Sequence, residues 1–167
     1  MKFSTKIGLV LAVATTLPGA GPALAALAQP IGQSAAVSEI ARFHNERRER
    51  AFWFASDNGA EALLGLLEQA ALDDLDPASY PTSTLRHLAA KARSGTERDR
   101  RQAEQAFSAV FVQYARDVAR ERNVGTLYVD PAARPRPVSA ARLLRVAAAA
   151  PSLAGYVDQM GWMHPYY

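Results

Sequence analysis

Along most of this chain apolar residues return every three or four positions, the spacing of one face of an α-helix. The clearest run is Ala103, Phe107, Val110, Phe111, Tyr114 and Val118, a stripe sustained over about four turns. Thr96 with Asp99 three residues on supplies a capping signal ahead of it. Arg98, Arg100, Arg101, Glu104, Arg116 and Glu121 fall mostly off the stripe and read as its solvated side. The spacing predicts a long helix at the centre of a bundle.

Upstream, Val37, Ile40, Ala41 and Phe43, followed by charges over 46–50, predict a first helix with a solvated end. Phe52, Trp53 and Phe54 then stand in a row. Neither a helical stripe nor an exposed loop accounts for that, so an extended segment plugging the core is expected. A packed Trp buries on the order of 200 Å², which makes Trp53 the expected hydrophobic anchor. Asn58 with Glu61 resembles a capping box, opening a helix with the broad apolar face Leu63, Leu64, Leu66, Leu67, Ala70 and Ala71.

That helix runs into the acidic stretch LDDLDPASYP at 72–81. Asp76 can cap a helical turn whose first residue is Pro77, where a fixed φ and a missing N–H cost nothing. Tyr80, preceding Pro81, is pushed out of the α region and closes the turn. A short helix over 85–93 follows, ending near Ser94 and Gly95. The stretch 125–138 carries Pro131, Pro135 and Pro137 and reads as an irregular connection, with 127–129 as one short strand. Ser139 caps a helix over 140–150, and Ser152 starts a last one over 153–160. The fold class expected is mainly α: an irregular multi-helix bundle with a long central helix, Pro-rich connections and at most one short strand pair.

At 167 residues and 49% hydrophobic content the chain has one domain's worth of core. Its first residues belong to a different pattern. Lys2 and Lys6 precede an apolar run at 7–17, the helix breakers Pro18, Gly19, Gly21 and Pro22 follow, and Ala23, Leu24 and Ala25 form a small-x-small site. This reads as a secretory signal cut between Ala25 and Ala26, with Ala28 as second choice, and it implies a periplasmic protein. The run is well short of the roughly 20 apolar residues that span a bilayer, and no Cys stands at the junction to carry a lipid, so no stable membrane anchor is expected after cleavage. Residues 26–36 read as a flexible mature N-terminus and 37–167 as the folded domain. Losing 1–25 removes two lysines and no acids, which takes the net charge from +3 to +1. That balance argues against a nucleic-acid partner. The complete lack of Cys leaves packing alone to hold an exported domain.

Several short motifs together resemble one family, the N-terminal scaffold domain of the large periplasmic L,D-transpeptidases of Gram-negative bacteria. Phe52, Trp53 and Phe54 stand where its apolar-Trp element would be, and Ala62, Leu63, Leu64, Leu67 and Ala70 match its Leu-rich helix. Leu75, Asp76, Pro77 and Tyr80 match its Gly-Leu-Asp-Pro-x-x-Tyr turn, with Asp74 in place of the Gly. The likeness continues through Ala106, Phe107 and Tyr114, then Val129, Asp130 and Pro131, and ends at His164, Pro165 and Tyr166. It implies peptidoglycan or cell-wall synthesis proteins as partners and no cofactor. The family's acyl transfer uses a Cys thiolate assisted by a His. This chain has no Cys, and His44, His87 and His164 are scattered, so the resemblance carries over no catalytic residue. The aromatic tail at 161–167 fits a piece whose catalytic domain would follow.

Two other readings stay open on the residues alone. One is a stand-alone periplasmic helical module whose Arg-rich helix ends bind an acidic wall polymer or protein. The other is a glycan hydrolase, or a metal site, on Asp73, Asp74 and Asp76. The spacing of those acids fits no full metal loop and no second carboxylate group accompanies them, so capping and solvation of a helix end is the plainer role. Three acids at a helix C-terminus oppose its dipole, which predicts an Arg partner. No Gly-rich phosphate loop or nucleophile elbow is present, and no pattern specifies an oligomeric state.

Overall fold

The computed structural model describes residues 32–48, 50–55, 58–120 and 138–160. Within them the chain forms α1 (Gly32–Glu46), α2 (Gly59–Glu68), two single 3-10 turns (Ala70–Asp73 and Pro77–Ser79), α3 (Thr82–Ser94), α4 (Glu97–Val118), α5 (Ala140–Ala149) and α6 (Leu153–Asp158). The fold is mainly α, and no strand occurs among the described residues. The first helix begins at Gly32, five residues before the Val37 start read from the sequence, so part of the stretch expected to be a flexible N-terminus is helical. Ala36 is buried there, which gives the extra turn an apolar contact to hold it. The short strand expected at 127–129, Asp130 and Pro131 in the proline-rich connection, the signal with Ala25 and Ala26, and the tail with His164, Pro165 and Tyr166 lie outside the described residues.

α4 is the centre of the bundle, and its cap is the one the sequence encodes. The Thr96 side chain accepts from the Asp99 N–H while the Asp99 carboxylate takes the Thr96 N–H. Ser139 and Ser152 cap α5 and α6 by accepting from the N–H groups of Arg142 and Gly155. α2 departs from expectation. Asn58 has φ 56° and makes no side-chain cap bond. The chain enters α2 directly from the aromatic turn, and the Trp53 carbonyl takes the Ala60 N–H at 3.2 Å, satisfying a donor that a capping side chain would otherwise serve.

α3 and α4 form a helical hairpin about Gly95, where a Cβ would lie 2.5 Å from the Lys91 carbonyl. α1 packs on α4 and α5, and α6 packs on α2. The last contact is close because Gly59 lacks a side chain: a Cβ there would be 2.7 Å from Leu153 Cδ2. The apolar stripe read from the sequence is the buried face of α4, with Phe107, Val110, Phe111 and Tyr114 essentially inaccessible and Val118 at its edge. Trp53 is fully buried against it, within ring contact of Phe52, Phe107 and Phe111. No helix among the described residues is long and apolar enough to cross a membrane.

Candidate functional site

Two polar residues interrupt the buried face of α4. Glu104 is 4% exposed and Ser108, one turn on, is fully buried. The sequence pattern had put Glu104 on the solvated side, and the structure corrects this. The reason is tertiary: the segment carrying Phe52, Trp53 and Phe54 is a tight turn rather than the extended stretch expected, and its amides converge on one carboxylate. The Phe52 and Phe54 N–H groups donate to Glu104 Oε1 at 2.8 and 3.3 Å, and the Trp53 N–H donates to Oε2 at 3.0 Å. A turn drawn into a core has no neighbouring strand or helix to receive its amides, and each donor left bare costs about 1–3 kcal/mol. Glu104 supplies those acceptors.

Ser108 completes the attachment. Its Oγ accepts the Trp53 indole N–H at 2.9 Å and is hydrogen-bonded to His44 Nε2, also at 2.9 Å. One α4 face thus grips the aromatic turn through Glu104 and the end of α1 through Ser108. Arg47 lies over the rings of Phe43 and Phe52, 5.6 and 5.3 Å from their centroids. Burial raises the Glu104 carboxyl above the ordinary glutamate range, while the three amides and Arg47 draw it back. A cleft of about 20 Å³, room for a water molecule, lies among His44, Asn45, Arg101, Glu104 and Gln105.

A serine paired with an imidazole beside a carboxylate has the makings of a nucleophile and its base. Burial rules that chemistry out here. Ser108 is inaccessible, its oxygen already takes the indole N–H, and the carboxylate is committed to backbone amides. What this constellation does is lock three chain segments together.

The acidic turn forms a second lock. Asp76 caps the turn at Pro77, accepting from the Ala78 N–H at 2.9 Å, and Tyr80 takes the extended conformation with φ −111° and ψ 130°. Asp74, in the position where the resembled turn has Gly, adopts φ 59°. The backbone therefore takes the left-handed geometry that Gly would take, and an Asp tolerates it better than most residues. Asp73 is 4% exposed, which corrects the reading of all three acids as solvated. The partner expected for these acids was an Arg; for Asp73 the structure supplies the Tyr114 hydroxyl, which donates to its carboxylate. Tyr80 in turn donates to Asp117 at 3.1 Å, and the two tyrosine rings lie 5.8 Å apart. Burial, followed by the neighbouring acids, pushes both phenols well above the ordinary tyrosine range, so both stay protonated donors.

The remaining residues singled out from the sequence fall around these locks. Leu67 is fully buried in α2, and Leu75 packs partly buried against the core beneath the acidic turn. Asp73, Asp74 and Asp76 do not converge: one is turned to Tyr114, one is exposed, and one serves its own turn. No group of His, Asp or Glu among the described residues is arranged to hold a metal ion. His87 is exposed on α3, while His44 is the buried ring described above. Sequence reasoning missed Glu104 and Ser108. Their signal was present in the i, i+4 spacing of two polar residues within an otherwise apolar helix, but charge alone argued for the outer face.

No curated protein and no solved structure matches this chain. A family match does: residues 38–167 fit the family described as Scaffold domain. With that match covering most of its length, the chain belongs to the Scaffold domain family, the domain its sequence resembles in the large L,D-transpeptidases.

Proposed function

We propose that this chain is an exported scaffold domain, itself without catalytic residues, that positions the catalytic unit of an L,D-transpeptidase during peptidoglycan cross-linking. The family match over 38–167 is the observation that carries this reading. The geometry agrees with it, because Glu104, Ser108 and Asp73 are spent on joining segments of the fold and Asp76 on capping its own turn. The Lys2 to Ala25 pattern supports export, with Ala26 as the first residue of the mature protein. Its partners are cell-wall synthesis proteins or peptidoglycan.

The test is a reconstitution. A separately produced L,D-transpeptidase catalytic domain is incubated with sacculi, with and without this chain, and the cross-linked muropeptides are measured by liquid chromatography and mass spectrometry. The reading expects the chain to bind the catalytic domain and raise the cross-linked yield. Absence of both binding and any change in cross-linking sinks it. Muropeptides released by this chain alone would replace it with hydrolysis.

A further inference from the structure

His44 stands in the last turn of α1, 5% exposed, bonded to Ser108 and edge-on to the Phe43 ring at 5.2 Å. Arg47, just past the end of α1, lies near enough to act on it. From α4 come Glu104 and Arg101, the latter on the same small cleft. From α5, Arg145 pairs with Glu46 at this end of α1 at 3.7 Å. The aromatic turn presents Phe52 and Trp53. With a neutral imidazole and an ionised Glu104, two cations, Arg47 and Arg101, face this centre against one anion. A proton on His44 adds a third cation without a second anion.

The attachments differ in kind on the two sides of this centre. α2, α3 and α4 are joined through the apolar Leu63, Leu67, Leu85 and Phe107, together with the Tyr114–Asp73 and Tyr80–Asp117 bonds and exposed Arg–Glu pairs between α2 and α3, none of which involves an imidazole. The end of α1 and the aromatic turn depend in addition on the His44, Ser108 and Glu104 bonds. We propose that His44 is an acid-release catch: protonating its ring frees the end of α1 and the aromatic turn from α4 while the α3–α4 hairpin stays packed.

Burial, reinforced by Arg47 and opposed by the Glu104 backbone carbonyl, lowers the ring from 6.5 to about 4. A group with a depressed folded value contributes docking that is complete above about 6.5 and is lost as pH falls toward 4. Through His44 alone, the docked form should be disfavoured about 30-fold at pH 5 relative to pH 8. Glu104 acts in the opposite sense, since its raised carboxyl lets acid favour the docked state, so the experiment must isolate His44.

Amide hydrogen exchange on the full chain, corrected for intrinsic rates, is compared at pH 8 and pH 5. His44→Gln retains the Glu104 contribution alone, so the change in protection at Phe52 and Trp53 between pH 8 and pH 5 should be about 30-fold more unfavourable in the wild type than in His44→Gln, while protection across the middle of α4 should hold in both. The same pH change at Phe52 and Trp53 in wild type and His44→Gln, or an equal loss in α4, overturns the proposal. If His44→Gln does not fold, NMR titration of the wild type decides: Phe52 and Trp53 amide signals that change with the same midpoint as the His44 ring support the catch, and amide signals that stay unchanged while the ring titrates overturn it.

Discussion

Glu104 takes the backbone N–H of Trp53 at 3.0 Å with one oxygen and those of the flanking Phe52 and Phe54 with the other. A single carboxylate in the middle of an apolar helix face thereby replaces the hydrogen-bond partners that a turn loses on entering a core. This relationship makes the aromatic turn possible, and it sets the largest expected effect of any polar substitution in the domain. Glu104→Ala leaves the amides without acceptors and should cost about 3–5 kcal/mol. Glu104→Gln keeps one oxygen and should cost less. Urea unfolding of the variants measures both, and a loss under about 1 kcal/mol for Glu104→Ala would contradict the role assigned to the carboxylate.

Trp53 combines two contributions that can be separated. Trp53→Phe removes the indole N–H bonded to Ser108 but keeps most of the ring, for an expected loss of about 1–2 kcal/mol. Trp53→Ala empties the centre of the core and should cost about 3–5 kcal/mol. A double-mutant cycle of Trp53→Phe with Ser108→Ala should show coupling, and strict additivity would mean the 2.9 Å bond contributes nothing.

At Asp74 the backbone, not the side chain, is the constraint. With φ 59°, Asp74→Gly should leave stability within about 0.5 kcal/mol, since relief of strain offsets the greater freedom of Gly when unfolded. Asp74→Val places a β-branched residue in the left-handed region and should cost about 1–2 kcal/mol. Thermal melts of the pair test this, and Val proving as stable as Gly would refute it.

Asp76→Ala removes the cap on the turn at Pro77 and should cost about 1 kcal/mol without changing the fold seen by circular dichroism. The same variant distinguishes a structural from a chemical acid. Any muropeptide release from sacculi that disappears with Asp76→Ala would give the carboxylate a chemical task that its capping geometry does not suggest.

Gly59→Ala introduces a Cβ 2.7 Å from Leu153 Cδ2 and should cost about 1–3 kcal/mol by pushing α6 off α2. Pairing it with Leu153→Ala should recover part of the loss, because the atoms in conflict are then gone. If the double variant is no better than the sum of the two, the close approach of these helices is not what makes Gly59 necessary.

By itself the sequence determined the parts governed by local rules. Periodicity marked α4 and its buried stripe from Ala103 to Tyr114, Thr96 with Asp99 marked its start, and Ser139 and Ser152 marked the two helices after it. Asp76 ahead of Pro77 encoded the capped turn, since a cap involves residues only two or three apart. The resemblance that led to the scaffold family rests on these same local motifs and on Trp53. Tertiary structure alone decided which polar residues lie inside. Glu104 is buried because the amides of Phe52, Trp53 and Phe54, about fifty residues away in the chain, need an acceptor. Asp73 is buried because Tyr114 offers a hydroxyl from another helix. Asn58 gave up its capping role because the Trp53 carbonyl had already met the Ala60 amide. A hydrogen bond between distant segments leaves no periodic trace, so burial of a charge becomes readable only when both partners are in place.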